Sequence, residues 1–132
     1  LSLLARNRKG FFAMIEGSQI DGAGHGNNTK KLLGEMRDFD RAVNKAFDFA
    51  DKNPGTLVIV TADHGCDPST PSTDHSREYV PLLCCGKSVR AGVDLATRSC
   101  FADLAATVGE YFDPAFPGKL QAGSSFLQQL LK

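Results

Sequence analysis

The sequence predicts an α/β fold with three layers, α/β/α, around a mostly parallel sheet, as a single domain over residues 1–132. Three observations predict it. Residues 56–65, TLVIVTADHG, open with an unbroken apolar and β-branched run, the pattern of a strand buried on both faces of a parallel sheet. Residues 29–50 repeat apolar side chains at gaps of three and four, the pattern of an amphipathic helix. A second apolar run at residues 11–15 precedes that helix, so strand, helix and strand follow one another as a right-handed parallel crossover requires.

Taken in order, residues 1–8 read as the tail of a helix that stops at Lys9-Gly10. Residues 11–15, FFAMI, read as a buried strand, and residues 18–28, SQIDGAGHGNN, as a glycine-rich loop. The helix that follows presents Leu32, Leu33, Met36, Phe39, Val43, Phe47 and Ala50 on one face. Asn53-Pro54-Gly55 breaks it and turns the chain into the residue-56 strand. Residues 66–76 form a loop in which Asp67-Pro68 starts a turn, and residues 79–85 form a further strand with Pro81 near its start. A polar connection leads to an amphipathic helix at 99–112, capped by Ser99 with Asp103 in its first turn. A turn holding Pro114 and Pro117 and a short helix at 126–131 complete the chain.

Composition narrows the partners. An apolar fraction of 42% is enough for a real core, and 15 basic against 15 acidic residues leave no net charge. No basic face is implied, which argues against a nucleic-acid partner. No apolar run is long enough to span a bilayer, which argues against a membrane partner. Residues 2–5 are too short for a signal-peptide core, and the basic residues follow them instead of preceding them. Cys66, Cys84, Cys85 and Cys100 form no CxxC pair and suggest no disulfide framework, which favours a reducing, cytoplasmic compartment.

The chemistry lies in the histidines. There are three, His25, His64 and His75, and each has an aspartate close by: Asp21, Asp63 and Asp74. Ligands of open α/β sheets bind beyond the carboxyl ends of the strands. Parallel strands at 11–15 and 57–62 gather Glu16, Asp21, His25, Asp63 and His64 at one sheet edge, and the long loop returns His75 to it. Any one of these residues alone reads as a hydrogen-bonded turn or a solvated side chain. Three histidines, each beside an acid, read as mixed ligation that suits zinc, manganese or iron. Two such ions would clamp a phosphoryl group.

These residues also carry a resemblance. MIEGSQIDGAGHGNN, EMRDFDRAV and TLVIVTADHG, within residues 10–64, resemble the C-terminal part of bacterial alkaline phosphatases. TADHGCDPSTPSTDHSREYVPLL, ATRSCFADLAATVGEYF and GSSFL, within residues 61–127, resemble the end of phosphopentomutases. Both belong to one superfamily of metal-dependent phosphoryl-transfer enzymes, and the chain reads as a C-terminal half of that fold or a chimera of the two. The resemblance implies that Asp21, His25 and His75 hold one divalent metal, zinc or manganese, and that Asp63 and His64 hold a second. It implies magnesium at Glu16. Arg77 would touch substrate or orient His75, and Thr73 and Asp74 would accept from its ring. The family's attacking hydroxyl has no match here, so no catalytic residue is assigned and the isolated chain is expected to turn over little. The implied substrate is a phosphate monoester, cleaved by alkaline-phosphatase-like hydrolysis. The alternatives are phosphopentomutase-type transfer on pentose phosphates and a non-catalytic metal-binding scaffold. An open sheet edge would favour a homo-oligomer or an N-terminal half as partner.

Overall fold

Helix spacing and one polar cap decide the longest element. In the computed structural model, which describes all 132 residues, helix α2 spans Thr29–Lys52, two residues beyond the expected end. Asn28 starts it by accepting the Lys31 N–H on its side-chain oxygen at 2.9 Å. Along its expected apolar face Phe39, Val43 and Phe47 are half-buried and Ala50 is buried, while Leu33 and Met36 near its start stay exposed. The chain folds as two compact units, Leu1–Lys87 and Ser88–Lys132.

In the first unit, residues 4–6 make a single 3-10 turn where a helix tail was expected, and Gly10 follows in the left-handed region at φ 84°. Residues 18–28 are not all loop. Gln19–His25 form helix α1, which packs on α2 through the buried Ala23. Gly22 and Gly24 each cost an isolated helix about 1 kcal/mol, so the local sequence favours a loop and packing on α2 overrides it.

The expected strand at 11–15 does not form. Its residues have no regular structure and join no ladder, and Phe12 and Met14 are exposed. Only Phe11 finds an aromatic partner, edge-on to Phe49 with centroids 6.0 Å apart. A strand exists only through a neighbour's backbone, and the neighbour expected here pairs elsewhere. Strand β1, Val58–Thr61, pairs with β2, Leu82–Cys85, in antiparallel register from Val58↔Cys85 to Thr61↔Leu82. The expected parallel pair is therefore replaced by a two-stranded antiparallel one, and β1 is half-buried along its length where burial on both faces was expected. The reason is connectivity. The connection from β1 to β2 holds no crossover helix and folds back on itself at the Gly65–Ser76 bridge, so β2 returns antiparallel. β2 starts at Leu82 and not at Tyr79 because Pro81, just before it, has no N–H to give the ladder.

The second unit is organised by a buried carboxylate. Helix α3, Ala102–Phe112, begins three residues after the expected Ser99, and no side chain caps it. Asp103 does lie in its first turn, but buried. Its Oδ2 accepts from Arg98 Nε and Nη2, both at 2.8 Å, and its Oδ1 accepts the Ser124 N–H at 2.7 Å. One turn on, buried Thr107 donates to the Asp103 carbonyl at 2.7 Å and accepts the Phe126 N–H at 3.0 Å. Arg98 also donates to the Ser124 carbonyl and lies 5.4 Å from the centroid of the buried Phe126 ring. These bonds fasten the start of helix α4, Leu127–Leu130, to α3, with Ala106, Phe126, Leu127 and Leu130 as the core. Gly123, at φ 94°, makes the approach possible, because a Cβ there would lie 2.4 Å from the Ala102 carbonyl oxygen.

The cysteines are free, as the absence of a disulfide pattern suggests. Burial pushes the Cys84 thiol up to about 11, with its neighbour Cys85 adding to the shift.

Asp103→Ala leaves Arg98 and the Ser124 N–H without their partner and should lower stability in urea unfolding by about 2–3 kcal/mol. Asp38→Ala removes the largely exposed Arg41–Asp38 pair and should cost less than about 1 kcal/mol in the same assay. Thiol alkylation at mildly alkaline pH, followed by peptide mass spectrometry, should label exposed Cys66 and Cys100 well before Cys84. Equal labelling rates would contradict the burial of Cys84.

Candidate metal centre

The site begins with the spacing of four between Asp21 and His25. On helix α1 that spacing puts both side chains on one face, with Asp21 Oδ1 3.4 Å from His25 Nε2. The hairpin supplies the rest. Beyond Thr61 the β1–β2 ladder lapses and then closes once more at an isolated bridge between Gly65 and Ser76, with N–O distances of 3.3 and 2.9 Å. That bridge holds the residues on either side of the 66–75 loop together. The His64 and His75 rings stack on one another, centroids 3.6 Å apart and planes 19° apart. Gly65 is required where it stands, because a Cβ would lie 2.5 Å from the Glu78 Cβ.

Helix and hairpin converge on Asp21. Its Oδ1 lies 3.4 Å from His75 Nε2 and 3.7 Å from His64 Nε2, in addition to His25. The His25 and His75 Nε2 atoms are 3.1 Å apart. Asp21, His25 and His75 thus offer one ligand atom each, all within 4.8 Å of one another, and could hold a metal ion. His64 Nδ1 lies 3.2 Å from the Gly65 carbonyl, an acceptor that would leave its Nε2 as the lone-pair nitrogen facing Asp21. Ser76 Oγ, beside His75 in sequence, is buried without a hydrogen-bond partner.

The other expected residues are placed differently. Asp63 touches only His64, at 3.7 Å, and its side chain is 89% exposed. Glu16 lies on the exposed irregular segment before α1 and is not among the clustered ligands. Asp74 accepts the backbone N–H of His75 at 2.8 Å, not a ring N–H. That bond is the main cause holding its carboxyl below the ordinary range; burial opposes it, and the imidazoles of His75, His25 and His64 contribute less. Thr73 and Arg77 are exposed and are not among the clustered ligands. Asp67 starts a turn, as expected, its Oδ1 accepting from Ser69 N at 2.8 Å and Ser69 Oγ at 2.7 Å. The residues that sequence reasoning passed over are Gly65 and Ser76. A glycine directly after Asp-His was the available signal, but only the partner across the bridge gives it meaning.

The profile of the family described as alkaline phosphatase matches residues 1–92. The phosphopentomutase of Acetivibrio thermocellus is 45% identical over 120 residues, which are 91% of this chain and 28% of that protein. Those of Anaeromyxobacter sp. strain K and Carboxydothermus hydrogenoformans are 47% and 51% identical over 109 and 89 residues, 83% and 67% of this chain and 26% and 22% of theirs. The chain thus spans about a quarter of the length of the curated relatives it matches. A match of 120 residues in 132 must include both sides of residues 56–65, so one relative accounts for both halves of the resemblance. No solved structure matches the chain. The family match, covering more than half of the chain and both Asp-His pairs of residues 21–25 and 63–64, is decisive: the chain belongs to the alkaline phosphatase family.

Proposed function

We propose that this chain is the metal-binding portion of an enzyme that transfers phosphoryl groups on pentose phosphates. The observation that carries the reading is the convergence of Asp21, His25 and His75 from two separate elements, α1 and the hairpin. Side chains 50 residues apart meet with their nitrogens 3.1 Å apart and a carboxylate oxygen beside both. A carboxylate with two imidazoles is a donor set that zinc or manganese accepts, so the residues fit a divalent ion. When bound, such an ion would stabilise charge on phosphoryl oxygens. Asp63 and His64 are the pair this reading gives to a second ion, and Glu16 is the residue it gives to magnesium.

The roles of the chain's own residues follow from position. Asp21, His25 and His75 hold the first ion, and the Gly65–Ser76 bridge keeps His64 and His75 facing it. Arg77, exposed two residues past His75, is available to a phosphate oxygen. Asp74 sets the backbone of His75 through its N–H, and Thr73 precedes it on the same loop. The remaining strands of a mostly parallel three-layer fold would pair with the exposed segment at 11–15 in a longer chain or a second copy, and both units would belong to that one domain. Transfer between positions of a pentose phosphate is preferred to hydrolysis because the relatives named above are phosphopentomutases. Hydrolysis stays as the second reading, favoured by the alkaline phosphatase profile over residues 1–92.

Calorimetric titration should show divalent metal binding that Asp21→Ala, His25→Ala and His75→Ala each weaken. Gly65→Ala, which forces the hairpin off Glu78, should weaken it by about tenfold, as loss of a supporting contact does at metal sites. Phosphorus NMR of the manganese-loaded chain with ribose 1-phosphate then separates the readings. Metal-dependent broadening of the phosphate line places the substrate at the site. Ribose 5-phosphate as product supports transfer, and inorganic phosphate alone supports hydrolysis. Metal binding with neither broadening nor conversion would make this a metal-binding scaffold.

A further inference from the structure

The hairpin carries an excess of chain on one of its arms. Between the pair Thr61↔Leu82 and the bridge Gly65↔Ser76 lie residues 62–64 on the first arm and 77–81 on the second, three against five. The two extra residues cannot lie flat in a ladder, so the second arm bows out of it, which is how a bulge re-aims side chains beside a site. Both ends of the bow are pinned, at Ser76 by the bridge and at Leu82 by β1. Its middle is pinned too, because Glu78 lies against Gly65, where one added carbon would collide with it. Gly65 directly follows His64, so the bow stands next to the imidazoles.

The bow presents side chains of one complementary chemistry. Arg77, Glu78 and Tyr79 are all exposed, and Tyr79, at 89%, is more exposed than any other large hydrophobic residue of the chain. A ring left in water forgoes the burial through which aromatic side chains ordinarily stabilise a fold, so Tyr79 contributes little to this one. It is held one residue from Glu78, which fixes its backbone beside the site while its ring stays open. A tyrosine has an apolar face and a hydroxyl tip. A pentose has the same division, with carbon-bound hydrogens on its faces and hydroxyls around its rim. Two residues earlier, the Arg77 guanidinium matches a phosphate.

We propose that residues 77–81 are a sugar-binding arm, in which Tyr79 lays its ring on the carbon face of a pentose phosphate whose phosphate Arg77 holds. The proposal rests on the reading that this site acts on pentose phosphates, and it adds the residue that recognises the sugar. Tyr79 then separates a phosphorylated ring from phosphate alone and from an acyclic phosphate ester. Glu78 has no part in that recognition, since its stem is engaged against Gly65.

Calorimetric titration of the zinc-loaded chain with ribose 5-phosphate, glycerol 3-phosphate and inorganic phosphate tests this, with saturation-transfer NMR to show which ligand protons touch the protein. The expected result is saturation on the carbon-bound ring protons of ribose 5-phosphate and tighter binding of it than of the other two. Tyr79→Ala should weaken ribose 5-phosphate by about 3–10-fold and leave glycerol 3-phosphate and inorganic phosphate unchanged. Tyr79→Phe should keep the ring-proton saturation, and Arg77→Ala should weaken all three ligands. The urea midpoint of Tyr79→Ala should equal that of the wild type, since its ring is exposed. If Tyr79→Ala binds ribose 5-phosphate as tightly as wild type, or weakens all three ligands alike, the sugar-binding arm is overturned while the phosphate reading survives. A wild-type chain that takes up no zinc, or that binds none of the three when loaded, overturns both.

Discussion

One carboxylate oxygen sets the terms for the histidine cluster of the first unit. Asp21 Oδ1 faces three imidazoles, and the Nε2 atoms of His25 and His75 approach to 3.1 Å beside it. Two imidazole nitrogens that close need a proton or a cation between them, because two lone pairs repel. A single negative charge held by a short helix is what makes the crowding tolerable. The other features of the first unit can be read as the means of holding that oxygen in place.

Two kinds of structure do so. Helix α1 is local and weak, seven residues with two glycines among them. Its stability comes from burying Ala23 on α2 and from the capped start of α2 at Asn28. The hairpin is non-local. It interrupts its own ladder between Thr61↔Leu82 and Gly65↔Ser76, which frees the backbone there to aim His64 and His75 at the same point. Pro81 makes the interruption chemical, since it has no N–H to pair, and Gly65 lets the ladder close again, since a side chain there would collide with Glu78. The second unit uses a different solution. Buried Asp103, satisfied by Arg98 and Ser124, ties two short elements that could not bury enough apolar surface alone.

The sequence by itself determined the elements with strong periodicity and the residues with rare chemistry. Helix α2, the strand ending in Asp-His, helix α3, the Asp67 turn and the set Asp21, His25, His64 and His75 were all legible, because period, caps and the scarcity of histidine are local properties. The motifs around Asp21 and Asp63 also sufficed to place the chain in its family. What only the tertiary structure decided was pairing. Residues 11–15 have the composition of a strand, yet they form none without a neighbouring backbone. The direction of the β1–β2 pair depends on a connection whose lack of a helix shows only once the loop at 66–75 is seen to close on itself. Glycines 22 and 24 conceal a helix that exists through its contact with α2. Composition and spacing are carried by each residue and its near neighbours, whereas hydrogen-bond partners and burial belong to pairs distant in the chain, and those pairs are made only by folding.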